Sequence, residues 1–225
     1  MKKLSFLTLC LVIFTLSQSV IAQDYQIPAD MPINNGELEW LSFKDNIAEV
    51  KVDKKKVTVK SKRKSTSWGI KLVQPAMTFS KVPLKMNGDF YLSATVKPSK
   101  IDNETMFGIV INAPNEADYN VIAFDKQFCY FLRVMNLNGA FVIQGEQERV
   151  RYKYNKKKGN VWTIALERRN GGDYSVMLNG LEVRTLPKVL QLNFPAIGLF
   201  VTNKATIEGT GVAYEQWAAP IVCEE

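Results

Sequence analysis

The stretch FGIVINAPNEADYNVIAFDKQFCYFLRV, residues 107–134, decides the fold class, because it holds three apolar segments separated by short polar turns. Its last segment places Phe128, Tyr130 and Leu132 on one side of an extended chain and directs the alternate side chains to the other side. The first two segments are more densely apolar, as is typical of strands that are covered on both faces. The stretch therefore predicts three β-strands, two of them central in a sheet.

The alternation of side chains continues on both sides of this stretch. Further strands are predicted at residues 56–60, 90–96, 140–144, 149–154, 161–168, 174–178, 197–202 and 212–217. The pairs Asn138-Gly139 and Asn179-Gly180 favour tight hairpins, since both residue types tolerate positive φ. No amphipathic helix is predicted, so the pattern indicates an all-β antiparallel sandwich or barrel.

Composition limits the chemistry that the chain can perform. The chain has 225 residues, 46% of them apolar and 11% aromatic, which suits one packed domain without a metal or disulfide staple. It contains no histidine, which excludes Ser-His-Asp and Cys-His catalytic relays and histidine-ligated zinc. Any chemistry therefore has to rest on carboxylates, lysine, tyrosine or a bound ion.

The N-terminus has the pattern of a secretory signal peptide. Met1-Lys2-Lys3 precedes an apolar run that small residues close at Ala22. We therefore predict an exported protein that is periplasmic, at the cell surface or secreted. The predicted segments are the signal peptide 1–22, an extended lead-in 23–36, a β-sandwich domain 37–217 and a tail 218–225. No later stretch is long and apolar enough to predict a membrane span.

Two cysteines remain after the predicted cleavage, Cys129 and Cys223. Export would place them in an oxidising compartment, where they could form a disulfide. The alternative is a buried thiol at Cys129 and a free thiol near the tail, and the sequence leaves both open.

The net charge of +7 is unevenly distributed. Residues 51–64 carry eight Lys or Arg against one Asp, and residues 149–158 carry six and no acid. Such stretches predict either an acidic partner, with an anionic polysaccharide as the candidate, or lysines that protect edge strands from aggregation. Nucleic acid is not predicted as a partner, because no recognisable binding motif accompanies the charge.

The order of the strand motifs also resembles a known superfamily. The motifs are GDFYL at 88–92, MFGIV at 106–110, DYNVIAF at 118–124, YFLR at 130–133, VWTIAL at 161–166, YSVMLNG at 174–180 and AIGLFV at 196–201. In this order they are similar to the concanavalin A-like lectin/glucanase superfamily, and within it to laminin G-like and keto-disaccharide-hydrolase-like domains of exported bacterial proteins. The resemblance implies a jelly roll of two curved antiparallel sheets, a fold whose commonest function is to bind or process carbohydrates. It implies no particular activity, because fold alone does not determine function.

Within such a sandwich, nine apolar residues are expected to be buried between the two sheets. They are Phe90, Leu92, Phe107, Ile109, Leu132, Ile164, Leu166, Val176 and Leu199.

Catalysis by a retaining glycosidase requires two carboxyl groups about 5.5 Å apart. The glucanases to which the resemblance points carry an E-x-D-x-E triplet, and the nearest matches are Glu37-Leu38-Glu39 and Glu146-Gln147-Glu148. Both lack the third acid, so no catalytic residue is assigned. Glu146 and Glu148 are retained as the candidates of a hydrolase alternative.

Carbohydrate binding requires aromatic faces and planar polar side chains that form paired hydrogen bonds. Residues predicted to project from strands or a nearby loop in this way are Trp68, Asn112, Tyr119, Asn120, Arg133 and Gln144. Surface or turn placement is the alternative for each of them.

No metal or other cofactor is predicted, since Asp118, Asn120 and Asp125 do not have the spacing of a calcium loop. The predicted function is an exported, non-catalytic carbohydrate-binding or carbohydrate-associated module with a glycan, neutral or acidic, as its partner. A glycoside hydrolase acting through a Glu pair and a structural or protein-interaction module are the alternatives.

Overall fold

The computed structural model describes residues 25–64, 75–137, 140–145, 148–153 and 160–218. Their regular structure is dominated by strands, which confirms the expected all-β class. The strands are β1 Met31–Pro32, β2 Phe43–Lys44, β3 Ala48–Asp53, β4 Lys56–Ser61, β5 Ala76–Lys81, β6 Phe90–Ser99, β7 Phe107–Asn115, β8 Asp118–Phe124, β9 Phe128–Leu137, β10 Ala140–Gln144, β11 Val150–Arg151, β12 Trp162–Arg168, β13 Tyr174–Leu178, β14 Leu181–Leu186, β15 Pro195–Val201 and β16 Thr206–Gln216.

The strands form two antiparallel sheets. Sheet 1 has the order β14-β13-β12-β6-β16-β4-β3-β2, and β1 also pairs with β16. Sheet 2 has the order β10-β9-β8-β7-β15-β5, and β11 pairs with β9. Because β16 from the C-terminal end lies between β6 and β4, the chain closes sheet 1 through long-range pairing. This is the predicted antiparallel two-sheet sandwich.

One face of each sheet contributes to the core between the sheets. Leu132 is fully buried, but it lies on the face of sheet 2 that points away from sheet 1. Its predicted position between the sheets is therefore wrong. In β9 it is Cys129 and Phe131 that face sheet 1. Both faces of β9 are apolar, and alternation alone therefore does not choose which of them faces the core. The other eight predicted core residues are confirmed there: Phe90, Leu92, Phe107, Ile109, Ile164, Leu166, Val176 and Leu199.

The other face of sheet 2, which we call the trough face, carries a second apolar cluster. Val110, Tyr119, Val121 and Phe200 belong to it and are fully buried. The strands β7 and β8 are therefore apolar on both faces, as their dense apolar pattern predicts.

Both predicted hairpins are present as strand pairs. β13 and β14 are joined through Asn179 and Gly180, whose φ angles of 51° and 79° lie in the left-handed region that these two residue types tolerate best. β9 and β10 pair from Leu137 opposite Ala140, and their Asn138-Gly139 turn lies outside the described residues.

The described part of the lead-in packs against the sandwich. The Tyr25 ring lies 4.8 Å from the Trp217 ring, and Met31 of β1 is opposite Val212. The predicted signal peptide, residues 1–22, lies outside the described residues, and its cleavage stays a prediction. Within the part that the structure describes, no helix has the length and apolarity needed to cross a membrane.

Cys129 is a buried cysteine on β9, and it has no disulfide partner among the described residues. Burial raises the pKa of this thiol to about 12, so it is protonated and unreactive at neutral pH. Cys223 lies outside the described residues.

The two basic stretches lie at opposite edges of the sandwich, as far as the chain is described. The β3–β4 hairpin of sheet 1 contacts β5, which is one edge of sheet 2. β11 pairs with β9 and lies at the other edge. Lys56 of the hairpin forms an ion pair with Glu208 at 2.8 Å. The hairpin lysines therefore fit edge protection, and the described parts of the two stretches do not form one patch.

Candidate functional site: a cleft across the curved sheet

A cleft of about 940 Å³ opens on the trough face of sheet 2. Met77 and Phe79 of β5 line it, and so do Asn136 of β9 and Phe141 of β10. β5 and β10 are opposite edges of sheet 2, so side chains from both line one cleft only because the sheet curves. We call this space the trough cleft.

Strand alternation positions the aromatic walls of the trough cleft. Met77 and Phe79 of β5 pack against the apolar cluster of the trough face, and Lys81 follows them at the same spacing. Because β5 is an edge strand, Thr78 and Ser80 from its other face also line the cleft. The Lys81 ammonium lies 5.2 Å from the centroid of the Phe79 ring and donates a hydrogen bond to the Ala113 carbonyl oxygen. Partial burial lowers the pKa of Lys81.

Carboxylates form part of the rim. Glu37 and Glu39 flank Leu38, which is buried, and both glutamates line the cleft. The Tyr214 hydroxyl donates to Glu37 Oε2 at 2.9 Å, and the backbone N–H of Glu39 donates to Ser80 Oγ at 2.9 Å. These contacts hold the acidic segment against β16 and β5.

Two further acids extend this rim. Asp45 lines the cleft and accepts hydrogen bonds from the backbone N–H groups of Ile47 and Ala48 at 2.6 and 2.7 Å, so it also shapes its own turn. Glu116 lines the opposite side and is exposed. Apolar ring walls with a rim of hydrogen-bond acceptors suit a hydroxyl-rich ligand better than an anion.

Four of the predicted ligand residues lie side by side elsewhere on sheet 2. Asn112 of β7 is opposite Asn120 of β8, Asn120 is opposite Arg133 of β9, and Arg133 is opposite Gln144 of β10. A register shift after Val110 brings Asn112 into this row. The row is not part of the trough cleft, and its members Arg133 and Gln144 are exposed.

Most polar groups of this row are used within the protein. Asn112 is 4% exposed, donates to Asn120 Oδ1 at 2.8 Å and accepts the backbone N–H of Phe194 at 2.7 Å. Arg133 donates two hydrogen bonds to Asp118, at 2.9 and 2.7 Å. This contact lowers the pKa of the Asp118 carboxyl and raises the pKa of Arg133. We therefore interpret the row as mainly structural.

Tyr119 lies on the trough face of β8, within the second apolar cluster. Its side chain is fully buried, and its hydroxyl has no hydrogen-bond partner among the residues that the structure describes. Burial also raises the pKa of this hydroxyl. The geometry therefore does not favour Tyr119 as a ligand contact.

Tyr119→Phe is expected to leave the free energy of unfolding unchanged or to raise it by up to about 1 kcal/mol, because it removes a buried hydroxyl for which the described part of the chain supplies no partner. Glycan binding should not change. Thermal denaturation measures the effect, with Tyr174→Phe as the matched control. The Tyr174 hydroxyl donates to the Met86 carbonyl at 3.1 Å, so its loss should cost about 1 kcal/mol. A Tm drop for Tyr119→Phe as large as that of the control would contradict the assignment.

Of the hydrolase candidates Glu146 and Glu148, the structure describes only Glu148, which does not line the trough cleft. Glu148 lies just before β11, its side chain is 81% exposed, and its nearest cation is Arg184 at 3.5 Å. Glu146 lies outside the described residues, and so does the predicted ligand residue Trp68.

The three oxygen ligands considered for calcium are spread along β8. Asp118 begins this strand and Asp125 follows its end, where it accepts the backbone N–H groups of Gln127 and Phe128. Among the described residues, no group of three or more acidic or cysteine side chains is placed to hold a metal ion.

Sequence reasoning missed the walls of the trough cleft. It does not predict a strand at residues 76–81, because the core-facing Ala76, Thr78 and Ser80 are small or polar and weaken the alternation. Phe141 falls in a predicted strand, but nothing local indicates that it meets β5. The one signal that the sequence offers is the Glu37-Leu38-Glu39 match, which the structure places at the rim.

Comparison with known proteins bears on the fold. No protein-family model matches the chain, and no curated protein matches its sequence. Solved structures with the same fold include the carbohydrate-binding module CBM66 from Bacillus subtilis, which is 10% identical with a TM-score of 0.51 over 79% of this chain and 95% of the module. A Bacteroides ovatus GH16 protein of a mixed-linkage glucan locus is 8% identical with a TM-score of 0.51 over 83% of this chain and 99% of its own.

A third similar structure is described as one of the endo-acting O-glycanases of the human gut microbiota. It is 9% identical with a TM-score of 0.51, over 86% of this chain and 100% of its own. At such identities the likeness establishes the fold alone. That fold is a two-sheet antiparallel jelly-roll sandwich, which confirms the architecture that the resemblance in the strand motifs implies.

Proposed function

We propose that this protein is an exported, non-catalytic carbohydrate-binding module that holds a glycan in the trough cleft. The observation that carries the proposal is the pairing of Phe79 and Phe141, which come from opposite edges of sheet 2 and line the same cleft. Export rests on the predicted signal peptide at residues 1–22.

The chemistry of the cleft matches a sugar in three respects. Partly exposed phenyl rings offer apolar faces on which the C–H surface of a pyranose can pack. The Glu37, Glu39 and Glu116 side chains can accept hydrogen bonds from hydroxyl groups. A volume of about 940 Å³ is at the upper end of ordinary ligand sites, so the ligand would be an oligosaccharide.

The non-catalytic part of the proposal rests on the placement of carboxylates. Across the described strands of sheet 2, the sequence holds one carboxylate, Asp118. Arg133 binds both of its oxygens and lowers its pKa, so Asp118 is a poor proton donor. The acids that do line the trough cleft, Glu37, Glu39, Asp45 and Glu116, lie on its rim, outside the strands of sheet 2. A hydrolase would need two of them, one as a proton donor, on either side of a single glycosidic bond.

The similar structures agree with a carbohydrate ligand, because they are named as a carbohydrate-binding module, a GH16 protein and an O-glycanase. These names describe those proteins, and they include both binding and glycan-cleaving members. Whether this protein binds or cleaves a glycan therefore has to be decided from its own residues.

The test is a glycan array probed with the purified exported chain, followed by calorimetric titration of the best ligand. Phe79→Ala and Phe141→Ala are each expected to weaken binding by about tenfold, since losing one stacked ring costs on the order of 1.4 kcal/mol. Leu181→Ala is the control, because Leu181 is 70% exposed on sheet 1 and outside the cleft. Unchanged affinity in both phenylalanine variants would exclude the trough cleft as the site.

A glycoside hydrolase is the second candidate, because Glu37 and Glu39 both line the cleft. Incubation of the array ligand with the protein, followed by analysis of released sugars, separates the two functions. A binding module releases none, and Glu37→Gln and Glu39→Gln change its affinity only modestly. Turnover that these substitutions abolish would establish the hydrolase, and an array without any signal would favour a protein-interaction module.

A further inference from the structure

Two arginine side chains are arranged around one aromatic ring at the far end of sheet 2. The Arg149 guanidinium carbon lies 4.4 Å from the centroid of the Phe128 ring, and that of Arg151 lies 5.8 Å from it. Arg151 of β11 is directly opposite Phe128 of β9, which explains how the ring comes to lie beside both side chains. Both arginines are exposed.

Within the described part of the chain, neither guanidinium forms an ion pair with a carboxylate. Among the described residues, no carboxylate oxygen lies within 4.0 Å of Arg149 or Arg151. The nearby Asp125 is already used, since it accepts the Tyr130 hydroxyl at 2.6 Å and the backbone N–H groups of Gln127 and Phe128 at 2.6 and 2.7 Å.

We propose that Arg149 and Arg151 form a second binding site, separate from the trough cleft, for the carboxylate or sulfate groups of an acidic polysaccharide. The ring of Phe128 lies against both guanidinium groups, and Arg149 also donates a hydrogen bond to the Tyr130 hydroxyl. The remaining N–H groups of the two exposed arginines can bind an oxyanion. An arginine fork binds such a group through two parallel hydrogen bonds, which lysine cannot reproduce. Stacking on the ring also reduces the conformational entropy that each side chain loses when it binds.

The two sites differ in position and in charge. Phe128 and the cleft residue Asn136 are eight residues apart on β9, a separation of roughly 26 Å along an extended strand. The rim of the trough cleft is acidic, whereas Arg149 and Arg151 are followed by the exposed Lys153. Acidic groups would therefore be repelled from the first site and attracted to the second.

The lysines of the β3–β4 hairpin lack this arrangement. Lys56 and Lys51 have the acidic neighbours Glu208 and Glu49, at 2.8 and 3.4 Å. Lys54 and Lys55 are exposed in the turn of the hairpin, at the other edge of the sandwich. They provide a matched control, because substituting them removes the same number of charges.

The experiment compares Arg149→Gln/Arg151→Gln with Lys54→Gln/Lys55→Gln in the exported chain. Binding to heparin, polygalacturonate and neutral dextran is measured at 50 and 150 mM salt. The arginine variant should lose about tenfold or more in affinity for heparin, polygalacturonate or both, corresponding to about 1.4 kcal/mol or more. The lysine variant should lose less than about twofold, because an unspecific surface charge contributes little at 150 mM salt.

A third variant tests whether the paired N–H donors of the guanidinium group are required, as distinct from its charge. Arg149→Lys/Arg151→Lys keeps the charge and is expected to bind as weakly as the glutamine variant. Heparin binding without polygalacturonate binding would identify sulfate as the group recognised, and binding of both would include carboxylate. Equal losses in the arginine and lysine variants, or no binding of either acidic polysaccharide by the unaltered chain, would overturn the proposal.

The outcome is independent of the proposed function of the trough cleft. The arginine variants should bind the array ligand of the cleft unchanged, and Phe79→Ala should bind heparin unchanged. Failure of one site therefore does not imply failure of the other.

Discussion

Gly108→Ala is expected to lower the free energy of unfolding by about 3 kcal/mol or more, one of the two largest stability effects predicted for this protein. Gly108 lies on β7, and a Cβ atom added there would come within 1.9 Å of the Ile122 carbonyl oxygen and 2.8 Å of the Ala123 Cα. These are backbone atoms of β8, and they cannot move away without breaking the β7–β8 hydrogen bonds. The clash therefore cannot be relieved by a change of side-chain rotamer.

Urea denaturation monitored by circular dichroism measures the loss of unfolding free energy. In thermal denaturation, the Tm of a domain of this size should fall by roughly 10 °C. Gly172→Ala is the matched control, since a Cβ there would come no closer than 3.2 Å to the Arg169 carbonyl oxygen in a turn. That variant should lose less than about 1 kcal/mol. A loss at Gly108 as small as in the control would show that β8 can shift, and that sheet 2 is less rigid than its contacts indicate.

Asp89→Ala is expected to destabilise the protein by about 3 kcal/mol, because it removes three hydrogen bonds that one buried carboxylate accepts. Asp89 is 4% exposed, and its carboxylate accepts the backbone N–H groups of Asn170 and Gly171, both at 2.8 Å. It also accepts the Tyr25 hydroxyl at 2.8 Å. One side chain thus holds the turn after β12 and the N-terminal lead-in in place.

Two measurements check this expectation. Chemical denaturation gives the stability loss, and near-ultraviolet circular dichroism reports whether the Tyr25–Trp217 ring contact persists. Asp173→Ala is the control, since Asp173 is exposed and accepts one backbone N–H, from Lys188 at 2.9 Å. Its removal should cost less than about 1 kcal/mol. A stability loss at Asp89 equal to that at Asp173 would mean that water replaces the carboxylate.

The acidic rim and the arginine pair give the trough side of the sandwich two different surfaces. Glu37 and Glu39 line the trough cleft, which reaches the C-terminal end of β9. Arg149 and Arg151 lie beside Phe128 at the other end of that strand. A polysaccharide that carries acidic groups on some residues and neutral sugars on others would be complementary to both surfaces. Measuring each site with its own probe keeps the two contributions separate.

The strand pattern could be predicted from the sequence because it depends on local periodicity. In β6, β12 and β13, apolar residues alternate or run together over five or more positions, and Asn179-Gly180 marks a tight turn at the end of β13. Such features arise from backbone geometry and from the burial of one face, both of which act over a few residues. The all-β class and most of the core follow from them.

The tertiary structure alone decided which faces and which distant segments meet. Both faces of β9 are apolar, so only packing against sheet 1 selects Cys129 and Phe131 for the core and turns Leu132 to the trough face. β5 and β10 are about sixty residues apart in the chain, and the curvature of sheet 2 brings Phe79 and Phe141 to one cleft. Curvature and sheet order result from the sum of long-range contacts, and no local stretch of sequence encodes them.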